Sequence, residues 1–123
     1  MVEMINARAG EGRFQIDARA QRCGDDWCVA VCGGEKHHVG AVSLGQYEPE
    51  RDSATVSTIT VYTHRDDAVA SRFAKAIASA CRCTVTVTVG IHVNDAVAAE
   101  LVLLEKNCEA CLRALLHAME EKS

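Results

Sequence analysis

Cys32 to Leu44 reads CGGEKHHVGAVSL. Two glycines, a charged pair and two adjacent histidines sit between apolar runs, WCVAV before and VGAVSL after. Glycine tolerates the positive φ angles that tight turns need, so the double glycine predicts a strand that turns and comes straight back. On that reading Glu35, Lys36, His37 and His38 crowd the tip of a hairpin, where a rigid scaffold can present side chains to a ligand. The plainer reading of the same residues is a solvated hairpin tip.

Outward from this stretch the chain alternates in both directions. Upstream, Trp27, Val29 and Val31 share one face of a strand over 27–32. Before it, RFQIDARAQR (13–22) alternates strictly, with Phe14, Ile16, Ala18 and Ala20 on one side, and Gly24-Asp25-Asp26 supplies a turn. Residues 1–11 show no pattern and are expected to be loosely held. Downstream, Val39–Leu44 forms a further strand and GQYEPERD (45–52) a polar loop. ATVSTITVY (54–62) is β-branched and suits a pleated sheet.

The period then changes. Thr63-His64-Arg65-Asp66 reads as a capping box, and Val69, Phe73, Ile77 and Ala80 follow on one helix face. TVTVTVGIHV (84–93) returns to alternation, with valines on one face and threonines on the other. Gly90 inside so strong a strand marks a bulge or the close approach of another group. A last helix carries Val97, Leu101, Leu104, Cys108, Cys111 and Leu115 as its apolar stripe. Four strands in a row, then helix, strand and helix, predict an α+β fold. It is an antiparallel four-strand meander followed by helix–strand–helix, all in a single domain over 1–123.

Composition narrows the function. A net charge of −4 and aromatics at 4% lack the basic stripe and stacking platforms of a nucleic-acid binder. No apolar run approaches the ~18–20 residues of a membrane span, and the N-terminal MVEMINARAGEGRF does not resemble a signal peptide. The expectation is a cytoplasmic chain with no membrane partner. Seven cysteines lack paired zinc spacings and are read as reduced thiols, with no metal site. Cys28 and Cys32 lie on one strand face, roughly 13 Å apart at ~3.3 Å per residue, too far to bond. No nucleophile elbow, Walker loop or His-Glu-x-x-His is present, so no enzyme is expected.

GGEKHHVGAVSL, followed by ATVSTITV and VTVGIHVNDA, resembles the prenylated-flavin chaperone family (LpdD-like), typified by the small D protein associated with gallate decarboxylase. At the level of fold it also resembles the proteasome assembly chaperones. The likeness runs from about Gly12 to Leu116. Residue by residue it points to Gly33, Gly34, Lys36, His38, Gly40, Ala41, Gly90, Ile91 and His92. His37 stands where the family pattern has proline. The last helix opens NDAVAAE rather than Thr-Pro, so Asn94 or Asp95 is expected to cap it.

The resemblance implies a homodimer that binds prenylated FMN as cargo and delivers it to a UbiD-like decarboxylase. Gly33, Gly34 and Lys36 would then suit the phosphate, and His38 and His92, with Thr60 and Tyr62, the ring. A competing reading is a protein-interaction module without a small ligand, docking through the threonine face and the helices. A third is a metal or redox protein using His37, His38 and nearby cysteines.

Overall fold

A computed structural model describes residues 3–61 and 66–121. The strands are Met4–Ala9 (β1), Ile16–Cys23 (β2), Asp26–Gly34 (β3), Ala41–Glu48 (β4), Ser53–Thr60 (β5) and Thr84–His92 (β6). The helices are Asp66–Cys81 (α1) and Ala98–Glu121 (α2), and Gly12–Phe14 forms one 3-10 turn. The strands make a six-stranded sheet in the order β1-β2-β3-β6-β4-β5. β6 runs parallel to β3 and antiparallel to β4. The fold is therefore α+β with a mixed sheet, not an antiparallel meander.

The difference arises at the double glycine. Gly34 does take a left-handed φ of 76°, as a turn glycine should. Yet β3 and β4 never pair, because β6 occupies the slot between them. A two-residue turn joins only adjacent strands. The connection here runs from 35 to 40, long enough to cover the two strand spacings, about 9.6 Å, that an inserted strand requires. The β5–α1–β6 unit fills the slot, and residues 35–40 form the crossover past the end of β6.

Alternation decides the faces as the sequence suggests. Val85, Val87 and Val89 are fully buried, beside Val29 and Val31 of β3 and Ser43 and Ala41 of β4. α1 lies on β4, β5 and β6, and α2 on β1 and β2, both against this face. α1 packs closely on Gly45, where a Cβ would meet the Ala74 carbonyl at 2.6 Å. Phe73, Ile77, Leu115 and Met119 complete the core. The opposite face, with Cys28, Ala30, Thr86 and Leu44 exposed, carries no helix.

Other local expectations shift. Residues 4–9 are not loose: Met4–Ala9 pairs along β2 and buries Ile5 and Ala7 under α2. GQYEPERD is not all loop, because β4 continues to Glu48 and the turn is confined to 49–52. Neither Asn94 nor Asp95 caps α2. Glu100 instead turns back to accept the Val97 amide at 3.0 Å, the carboxylate half of a capping box. Tyr62, Thr63 and His64 lie outside the described residues.

Gly90 meets the expectation of close approach: a Cβ there would overlap the His38 main chain. Gly90→Ala should therefore destabilise the fold by about 1–3 kcal/mol, the usual cost of overpacking a fitted site. A urea unfolding midpoint equal to that of the unmodified chain would refute this.

Candidate functional site

The crossover 35–40 is pinned across the end of β6. The Glu35 amide donates to the His92 carbonyl at 2.6 Å and the Gly40 amide to the Val89 carbonyl at 2.8 Å. The Val61 amide then donates to the Gly40 carbonyl at 2.7 Å, which ties the same segment to the end of β5. Between these anchors Lys36 to Val39 stands over Gly90, whose missing side chain makes the room.

His38 is held from two sides. Its Nδ1 lies 3.1 Å from the Lys36 carbonyl and its Nε2 lies 3.2 Å from Asp66 Oδ2. Both partners are acceptors, so each contact needs a proton on the ring nitrogen it meets. Asp66 is only 6% exposed and opens α1, where a carboxylate suits the positive end of the helix dipole. Its other oxygen accepts the Ile91 amide at 3.2 Å. Gly40 is glycine for the same reason as Gly90: a Cβ would overlap the Asp66 carboxylate. One buried acid thus joins α1, β6 and the crossover.

A second chain of polar contacts runs outward from His92. Its Nε2 lies 2.8 Å from Asn94 Oδ1, and the Asn94 amide donates to Glu35 at 2.8 Å. Glu35 pairs with Arg13 at 3.5 Å, and Arg13 reaches Glu100 of α2 at 3.3 Å. The segment beyond β6 is therefore tied to the crossover, to the 3-10 turn and to the start of α2.

Lys36, His38, Val39 and His92 line a cleft of about 330 Å³. This is the small end of the range for ligand pockets, about 300–1,000 Å³. The Lys36 side chain is exposed and makes no ion pair or hydrogen bond among the described residues. It is a cation available to an anion. Beyond Asp66 a more apolar hollow of about 210 Å³ is lined by Val69, Ile91, Leu101, Leu104 and Cys108.

The structure brings Lys36, His38 and His92 together, which the sequence could require only if β6 lay beside the crossover. It changes the part of the glycines. The Gly34 amide is already given to the Gln15 carbonyl and the Gly40 amide to Val89. Gly33 packs against Ile16, whose Cδ1 would lie 2.5 Å from an added Cβ. These glycines pack closely at the site, and the Gly34 and Gly40 amides are engaged within the chain. Ala41 is core. Thr60 sits on edge strand β5, across β4 from β6, and does not line the cleft. Sequence reasoning missed the buried role of Asp66 and the links through Arg13 and Asn94. Asp66 gave a signal as the acid of a capping box, but nothing local tells a solvated cap from a buried one.

Among the described residues no cluster of three or more His, Cys, Asp or Glu could hold a metal ion. A family model described as the prenylated flavin chaperone LpdD-like domain matches residues 10–120. A chain of the "Novel Chaperone Complex for Yeast 20S Proteasome Assembly" superposes with a TM-score of 0.57 at 17% identity, covering 94% of this chain and 98% of that one. At that identity the likeness is one of fold. No curated protein matches.

Removing the Asp66 carboxylate should be felt at β6 first. Asp66→Ala leaves the part-buried Ile91 amide without its acceptor, a loss of about 1–3 kcal/mol. Amide exchange at Ile91 should quicken while Val87, deeper in the strand, stays protected. Unchanged exchange at Ile91 would show that the contact does not hold in solution.

Proposed function

The chain belongs to the LpdD-like prenylated-flavin chaperone family, and from that premise we propose that it binds prenylated FMN and hands it to a UbiD-like decarboxylase. The observation that carries this reading is the cleft at the end of β6, where the Lys36 side chain, unpaired among the described residues, lies with the held His38 and His92. A phosphate wants a cation, and Lys36 supplies one on a pinned main chain. A flavin ring wants an apolar wall with few polar anchors. Val39 gives the first, and the two imidazoles give a flat surface whose orientation is set by Asp66 and Asn94. Prenylated flavin supplies the decarboxylation chemistry once it is in the client enzyme. The work of this chain is to hold it.

Two surfaces support the partners. On the helix-free face, Leu44, Ile59 and Val61 lie exposed at the β4–β5 end, with Ile59 77% accessible. A second copy covering this patch would make the homodimer. At the start of α2, Val97, Leu101, Val102 and Leu103 are exposed, and Leu101 also lines the hollow beside Asp66. An apolar patch continuous with the cleft's surroundings suits docking of the decarboxylase during transfer.

An interaction module without a ligand is the second reading, favoured by these same apolar surfaces. Anaerobic titration with reduced prenylated FMN, followed by fluorescence, separates the two. Saturable binding is expected. Lys36→Ala should weaken it by up to about fivefold and flatten its dependence on salt. His92→Ala should weaken it by a similar factor with an unchanged melting temperature, whereas His38→Ala should lower both affinity and stability. No saturable signal at tens of micromolar would leave the interaction module. For the dimer, light scattering should give twice the 13.2 kDa chain mass. Ile59→Lys should return the single-chain value, and a monomeric unmodified protein would overturn the assignment.

A further inference from the structure

We propose that Cys23 and Cys28, across the β2–β3 hairpin, form a reversible dithiol/disulfide site that reacts with low-molecular-weight disulfides. The two Sγ atoms lie 3.1 Å apart, and both residues are exposed. In the strand register Cys23 faces Asp26 and Cys28 faces Gln21, so the two cysteines are diagonal neighbours rather than direct partners. This pair is distinct from Cys28 and Cys32, which point the same way from one strand and stay apart.

The roles of the two sulfurs differ. Cys28 lies beside Thr86 of β6. Hydrogen bonds from the Thr86 hydroxyl and from the Cys23 thiol favour the Cys28 thiolate and hold its pKa below the ordinary thiol value. Donating to Cys28 holds the Cys23 proton on, which pushes that thiol up. Cys28 is therefore the attacking sulfur and Cys23 the resolving one. By contrast, burial pushes Cys108 to about 12 and Cys111 to about 11, and both stay inert inside the core.

The steps balance without any further co-reactant. The Cys28 thiolate attacks one sulfur of oxidised glutathione, and a glutathione thiolate leaves. Cys23 then gives up its proton and attacks the Cys28 sulfur of the mixed disulfide, and the second glutathione leaves as a thiolate. Two protein thiols are oxidised, one glutathione disulfide is reduced, and the thiolates take up the two protons.

The hairpin also sets how tightly the bond is kept. Diagonal pairs across a sheet have Cα atoms about 7–8 Å apart, whereas disulfides prefer about 4.4–6.8 Å. Closure therefore needs the hairpin end to move inward. Gly24 sits at φ 63° at the first turn position, and nothing lies within 4 Å of an added Cβ, so no neighbouring atom crowds the turn at that point. A bond closed against such a displacement is easily reduced, which is the property of a responsive site rather than a structural staple.

The test equilibrates the full chain with graded ratios of oxidised to reduced glutathione and blocks free thiols. Cleavage after Arg22 and before Asp25 then separates Cys23 from Cys28. The expected product has lost two hydrogens and keeps these two fragments joined, and dithiothreitol parts them. Cys32→Ser should keep the link. Cys23→Ser should stop at a glutathione adduct on Cys28, and Cys28→Ser should leave Cys23 free at the same ratio. The proposal is overturned by fragments that separate at every ratio. It is equally overturned by a link lost in Cys32→Ser, or by a Cys23 adduct that forms as readily without Cys28.

Discussion

At Gly90 one main chain lies directly on another. The His38 backbone fills the place that a side chain of β6 would take, and that contact is possible only because β6 has been inserted between β3 and β4. Insertion in turn requires a connection that leaves the sheet, clears a strand and returns. Residues 35–40 do this while giving their terminal amides to His92 and Val89. The central strand and the crossover therefore fix one another: β6 supplies the carbonyls that pin the loop, and the loop closes the end of β6.

Much of this was legible in the residues and some of it was not. The valine–threonine alternation over 84–89 places a buried face on the strand regardless of its neighbours, and the helix stripes of Phe73–Ile77 and Leu104–Leu115 are similarly local. Strand order is not local. A glycine pair followed by an apolar run carries the same signal whether the next strand pairs at once or one slot away. Only the length of the intervening polar segment separates the cases. The N-terminal strand was missed because MINARA offers just two large apolar residues, and its burial depends on α2 from the far end of the chain. Gly90 was readable because a glycine that interrupts a β-branched run marks a bulge or a close approach. What it could not say is which segment comes close.

The sheet is two-sided in its chemistry. Every helix contact falls on the valine face, while the other face shows Thr86, Cys28, Ala30, Leu44 and Ile59. Threonines on a central strand keep that face β-competent and neutral, without the charges that would bar a second layer. The polar share grows toward β1 and β2, where Arg8, Asp17, Arg19 and Gln21 lie. This face is thus graded, apolar near β5 and charged near β1.

The geometry around His38 suits the proposed holder better than a catalyst. A general base must meet its substrate with a free nitrogen, yet His38 already faces the Lys36 carbonyl on one side and Asp66 on the other. What remains for a ligand is position and charge. Lys36 stands at the rim in water, where screening over about 8 Å at physiological ionic strength limits what a single cation contributes. For an enzyme that would be a weakness, because the barrier is lowered only by tightly preorganised charge. On the proposed reading it suits transfer, since cargo held by a buried ion pair would leave too slowly to be passed on. Firm main-chain architecture beneath a lightly charged rim allows both orientation and release, and that pairing follows from placing the crossover on Gly90 instead of within the core.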